Sequence, residues 1–178
     1  MKSKRIGALA LTGVLTAMAV VLLLLTVTPI ATVGTVALAA VCAIPVVTET
    51  GRRGGLLHVI AVAVLAWLLV PAWETKVLYT AFFGWYTVFK AWLESKNLSR
   101  PTEQMIKLAL FWVVLVGGGA AWYFLAATPL ETIFRWWMLP VGGVIATALF
   151  FVYDRCLTGL VGVYLSRLQP TLRRLFKF

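Results

Sequence analysis

The stretch IGALALTGVLTAMAVVLLLLTV, Ile6 to Val27, decides the fold class. It carries no charge over 22 residues, and an α-helix crosses the hydrocarbon core of a bilayer in roughly 20 apolar residues. The preceding Lys2-Ser3-Lys4-Arg5 could open a signal peptide. The run is longer than the apolar core of such a leader, and another hydrophobic segment follows it, so it reads as an uncleaved first span.

The whole chain follows that lead. Of its 178 residues, 62% are hydrophobic and only 12% charged, with a mean hydropathy of +0.96. A soluble domain is about 45–50% apolar and about 25% charged. A domain this small cannot hide so many apolar side chains from water. Disorder, a disulfide scaffold and a nucleic-acid module are excluded on the same grounds, despite a net charge of +10. In a membrane protein a basic excess sets orientation. Cys42 and Cys156 both sit in apolar runs, without the spacing or the His/Cys neighbours of a zinc site, and read as small buried hydrophobes.

Six spans are expected. After Ile6–Val27, Thr28-Pro29 turns the chain into Ile30–Val47. The polar stretch from Thr48 to Gly55 ends that span. Leu56–Val70 is short for a crossing. Pro71 to Lys76 forms a loop before the aromatic run Val77–Leu93. Glu94 to Gln104 is the most polar loop, and Met105–Ala127 is a full span. Pro129 to Arg135 is a short loop before Trp136–Leu165, which has length for a span and extra turns. The expected fold is therefore all-α, integral to the membrane, with six transmembrane helices in one bundle over residues 1–165 and a basic tail over 166–178.

Charge supplies an independent check. An inside N-terminus puts Lys2, Lys4, Arg5, Arg52, Arg53, Lys90, Lys96, Arg100, Lys107, Arg167, Arg173, Arg174 and Lys177 on one side, with only Lys76 and Arg135 on the other. This asymmetry predicts both termini in the cytoplasm. A re-entrant pair in place of spans three and four would leave the loop signs unchanged, so charge constrains parity more than number.

Few residues could carry chemistry. His58, the one histidine, falls at the inner edge of the third run and reads as interfacial. No nucleophile elbow, zinc-binding His-Glu-x-x-His or phosphate loop is present. The six carboxylates are scattered, with no close pair to divide acid and base roles. No catalytic residue, metal site or cofactor is expected, which leaves an enzyme as the weakest of three readings.

Four features remain. Asp154 and Arg155, after Tyr153, lie within the apolar layer if the last span begins near Val141. There each charge costs about 2.5–3.5 kcal/mol and usually faces the protein interior or water. If the span begins at Ile133, Asp154 reaches the headgroups instead. Lys90 can snorkel to the near face. On the first span Gly13 and Ala17 have the spacing that lets helix backbones approach closely, either inside this protein or against a partner. Trp67, Trp73, Trp122, Trp136 and Trp137, with Tyr79 and Tyr123, fall toward the predicted outer face, and Trp85 lies mid-span. They form either an interfacial belt or the wall of a shallow pocket for an apolar or aromatic ligand.

The opening Lys4–Leu22, with its Ala-Leu-Ala-Leu and Val-Leu-Thr-Ala-Met-Ala segments, resembles the first helix of the substrate-capture subunits (S components) of energy-coupling factor transporters. The Gly51-Arg-Arg-Gly-Gly55 turn is similar to the Gly-x-x-Gly turn common in them. Phe82-Phe83-Gly84-Trp85-Tyr86 to Lys90 also resembles an uncharacterised bacterial membrane family of the same topology. The first resemblance implies a multi-pass subunit of a bacterial plasma membrane. It would capture a small ligand from outside and dock on a transmembrane coupling subunit with its ATPases, through Gly13, Ala17, Arg52 and Arg53. The alternative is a non-transporting scaffold whose basic face holds partners or anionic lipid.

Overall fold

The computed structural model describes residues 2–26, 29–96, 98–126 and 138–170. Among them the protein is 93% helical, with no strand. In chain order it comprises α1 (Lys2–Leu24), α2 (Pro29–Val41), α3 (Ala43–Leu69) and α4 (Trp73–Leu78), a π-helical turn (Tyr79–Phe83), and α5 (Gly84–Glu94). There follow α6 (Arg100–Ala126), α7 (Met138–Val163) and a second π-helical turn (Tyr164–Leu168). Among the described residues four helical stretches are long and apolar enough to cross a membrane: Ile6–Leu24, Ala43–Leu69, Arg100–Ala120 and Pro140–Leu168. Taken alone, α2 has 13 residues, about 20 Å of helix, and falls short of a hydrocarbon core about 30 Å thick.

The chain divides into two compact units, Met1–Asn97 with Leu157–Phe178, and Leu98–Cys156. In the first, Leu11, Leu15, Ala19 and Leu23 recur every fourth residue along α1 and are buried. Such a row forms a ridge that seats between the side chains of a neighbouring helix. It packs with Val36, Ala39 and Ala40 of α2 and with Val62, Ala63 and Ala66 of α3. Tyr79 closes the same core.

Proline and glycine set the breaks. Pro45 has no N–H to offer the carbonyl of Val41, four residues back. The helix is interrupted there, and the Cys42 N–H reaches the Ala39 carbonyl at 3.2 Å instead. Cys42 nevertheless keeps right-handed helical angles, φ −60° and ψ −20°. The expected polar loop from Thr48 to Gly55 is a correction to the sequence reading, because only Gly51 leaves the helical conformation. The hydroxyls of Thr48 and Thr50 donate to the carbonyls of Ile44 and Val46, so these polar side chains are satisfied without ending the helix. Gly51 has φ 75° and ψ −173°, a combination essentially restricted to glycine. Val70 is extended before Pro71, as the ring of a following proline requires, and that ends α3.

Gly84 follows the first π-helical turn, and its N–H donates to the Tyr79 carbonyl. A β-carbon there would lie 2.9 Å from Tyr79 Cε1 and 3.0 Å from Val59 Cγ1. The small residue inside the aromatic run thus lets α5 close onto α3.

In the second unit Ser99 stands before α6. Its carbonyl accepts from Glu103 N–H, and its hydroxyl lies 2.7 Å from that of Thr102. Phe111 stacks on Phe150 with centroids 4.8 Å apart. The Trp112 ring lies against Gly143, where a β-carbon would meet it at 2.9 Å.

Candidate functional site

Burying a charge is costly unless it is paired and hydrogen-bonded, so the buried polar side chains are the informative ones. In the first unit Lys90 of α5 is only 3% exposed. Its Nζ donates to Thr158 Oγ1 at 2.8 Å and lies 3.5 Å from Glu94 Oε1. The expectation that Lys90 snorkels outward is corrected, since its ammonium is held inside by Thr158. Beside it is a half-open cavity of about 70 Å³. Ile44, Val47 and Thr48 of α3 form one wall, Thr87, Lys90, Ala91 and Glu94 of α5 a second, and Leu157 and Val161 of α7 the third. Glu49, one residue from Thr48, accepts from Gln169 Nε2 at 2.7 Å and from the Tyr164 hydroxyl at 3.4 Å. The end of α7 and the turn after it are thereby tied to α3 and α5 by polar bonds.

His58 is also corrected. It is fully buried rather than interfacial. Its Nδ1 lies 2.9 Å from the Thr16 hydroxyl on α1, while Nε2 is buried with no hydrogen bond among the described residues. Thr16 therefore belongs to the internal face of α1. Gly13 and Ala17 lie on the exposed face, with nothing within 4 Å of a β-carbon built on Gly13.

In the second unit Lys107 is 4% exposed. It pairs with Glu103 on its own helix and lies 3.7 Å from Asp154 Oδ1. Asp154, a residue singled out from the sequence, is half-buried as part of an ion-pair group. Lys107 is a cation partner of Asp154, and Arg155 is exposed.

The outer-face aromatics do not gather into one place among the described residues. Trp67 and Trp73 are about half exposed. Trp67 donates to the Thr80 hydroxyl at 3.2 Å and carries the Lys76 ammonium 5.6 Å from its ring centroid. Trp85 is exposed, and Tyr79 is buried within the core. Trp122, Tyr123, Trp136 and Trp137 lie outside the residues whose side chains are described. Arg52 and Arg53 are both exposed just past the Gly51 turn, where Gly55 packs beneath Val47 and Val88.

Sequence reasoning missed Lys90 and Lys107 as buried centres. A signal was present, a lysine inside an apolar run with a glutamate one helical turn away in each case. That Thr158 and Asp154 lie beside these two lysines had no local signal. Among the described residues no three His, Cys, Asp or Glu side chains come together as a metal site. Comparison with known proteins finds no matching family model, no similar curated protein and no similar solved structure.

Proposed function

We propose that this chain is a six-span membrane subunit that captures a small apolar or aromatic ligand at its outer face and delivers it with a partner that supplies energy. In this reading both termini are cytoplasmic. The second crossing runs from Pro29 through Cys42 to Thr50, and the third from Arg52 to Leu69. The fourth is the continuous helical stretch from Trp73 to Glu94. The helical angles at Cys42 and the break at Gly51 support that division.

The observation that carries the partner is the two-sided character of α1. One face is buried in the protein's own core through Leu11, Leu15 and Ala19, while Gly13 and Ala17 are exposed on another. Lipid is as apolar as leucine, so small residues on an outward face are useful chiefly where a second helix backbone approaches. Gly13→Leu or Ala17→Leu should abolish co-purification of a membrane partner while leaving the melting temperature of the isolated protein unchanged. Loss of folding in both variants would place that face inside the molecule and end the reading. Topology is tested separately. Reporter fusions after Phe178 and within the loop at Trp73 should report opposite compartments, and the same compartment for both would refute six crossings.

A second reading, a scaffold that holds partners or anionic lipid, is favoured by the exposure of Arg52 and Arg53 on adjacent positions. Retention of soluble proteins by the purified chain without any ligand, lost in Arg52→Gln/Arg53→Gln, would select it.

A further inference from the structure

Arg52 and Arg53 stand apart from the other described cations of the first unit. Lys76 and Lys96 lie over the rings of Trp67 and Trp92, each 5.6 Å from the centroid, and Lys90 is held by Thr158. Arg52 and Arg53 are exposed at adjacent positions, and neither has a hydrogen bond, ion pair or ring contact among the described residues. The nearest carboxylate in sequence, Glu49, is engaged by Gln169 and Tyr164. Beyond the two arginines the exposed face of α3 is apolar. Leu57, Ile60, Val64 and Leu68 follow Arg53 at intervals of four, three, four and four residues, and all are exposed. Such spacing places them in one stripe along the helix. The opposite face, with Gly55, His58, Val59, Val62 and Ala66, is buried. From Arg53 to Val64 the helix rises about 16 Å, close to one leaflet of a hydrocarbon core about 30 Å thick.

We propose that Arg52, Arg53 and this stripe form a binding site for an anionic phospholipid, with the phosphodiester on the two guanidiniums and an acyl chain along Leu57, Ile60 and Val64. A guanidinium presents its N–H groups as a fork that matches two phosphate oxygens. Two adjacent forks complement a headgroup of net negative charge, whereas a zwitterionic headgroup brings a cation of its own, which the pair repels. The break at Gly51 sets the arginines at the start of the helical segment that carries the stripe. Charge and apolar surface therefore meet where a phospholipid changes from headgroup to chain. A small soluble anion has no chain and gains nothing from the stripe. The site deepens the second reading above by naming the lipid class. It rests on residues 52–69 being a membrane crossing and is independent of ligand capture at the outer face.

In the test the full chain is delipidated in a mild detergent and given an equimolar mixture of phosphatidylglycerol and phosphatidylcholine with the same acyl chains. Native mass spectrometry reads the lipids retained. The wild type should retain phosphatidylglycerol over phosphatidylcholine by about tenfold or more, as two cations facing one anionic headgroup predict. Arg52→Gln/Arg53→Gln should bring the two lipids to near parity. Each single change should lower the ratio part of the way, which decides the matter if the double variant fails to fold. Arg155→Gln, which removes an exposed cation from another helix, should leave the ratio unchanged. Glycerol phosphate in excess, a headgroup without chains, should not displace the lipid. A wild type without preference, a preference that survives in Arg52→Gln/Arg53→Gln or falls equally in Arg155→Gln, or displacement by glycerol phosphate would overturn the proposal. The crossing is tested separately in liposomes. Val64→Cys, in a Cys42→Ala/Cys156→Ala background, should resist an impermeant maleimide. Labelling there would refute the crossing, and the stripe with it, whatever the lipid ratio.

Discussion

Lys107→Gln is expected to destabilise the protein by about 3 kcal/mol, within the range for removing one partner of a buried ion pair. Lys107 is 4% exposed and lies within ion-pair reach of both Glu103 and Asp154. Without its ammonium, Glu103 and Asp154 both lose a buried cation within ion-pair reach. Asp154→Asn should cost less, because the Lys107–Glu103 pair survives. The double variant Lys107→Gln/Asp154→Asn should be more stable than the sum of the two single losses, since each change removes part of the other's penalty. Arg155 provides the control. It is exposed, so Arg155→Gln should fall within about 0.5 kcal/mol of the wild type. Equilibrium unfolding in mild detergent measures all four. Equal losses for Lys107→Gln and Arg155→Gln would show that the buried group contributes nothing.

Gly84→Leu is the second large effect. Even one added carbon would stand 2.9 Å from Tyr79 Cε1, 3.0 Å from Val59 Cγ1 and 3.1 Å from the Tyr79 carbonyl oxygen. One of those three is backbone, which cannot swing aside as a side chain can. Overpacking a close contact costs about 1–3 kcal/mol, and Leu, with three further carbons, should reach the upper end, about 3 kcal/mol. Gly84→Ala should cost about 1 kcal/mol. The change also separates α5 from α3 and disturbs the wall that carries Lys90. Loss of stability in Gly84→Leu is therefore expected, whereas Gly13→Leu, with open space around it, should leave the unfolding midpoint unchanged. A stable Gly84→Leu protein would mean that the helices are not in close contact at this point.

The long apolar helices of this protein, several with the length and composition to cross a membrane, were legible in the sequence because they are a local property. Twenty consecutive residues without a charge, as in Ile6–Val27, exclude water along a whole helix whatever the rest of the chain does. Proline and glycine punctuation was legible for a similar reason. Pro45 and Pro71 act on the backbone within four residues, and Gly51 acts at its own position. Even there the sequence reading went too far, since the polarity of Thr48, Glu49 and Thr50 predicted a loop. Their hydroxyls and carboxylate instead find partners on the helix itself or on the turn after α7.

Only the tertiary structure decided what each polar group does. His58 became a buried partner of Thr16, 42 positions away, and Lys90 was bound to Thr158 at a separation of 68. Asp154 met Lys107 rather than its neighbour Arg155. In each case the sequence shows a polar side chain in an apolar run, which insertion energetics requires to face something other than lipid. The identity of that something depends on which helix packs alongside and on its rotation. Helix–helix contact is set by the sum of many weak side-chain fits along both surfaces, and no short stretch of sequence contains that sum.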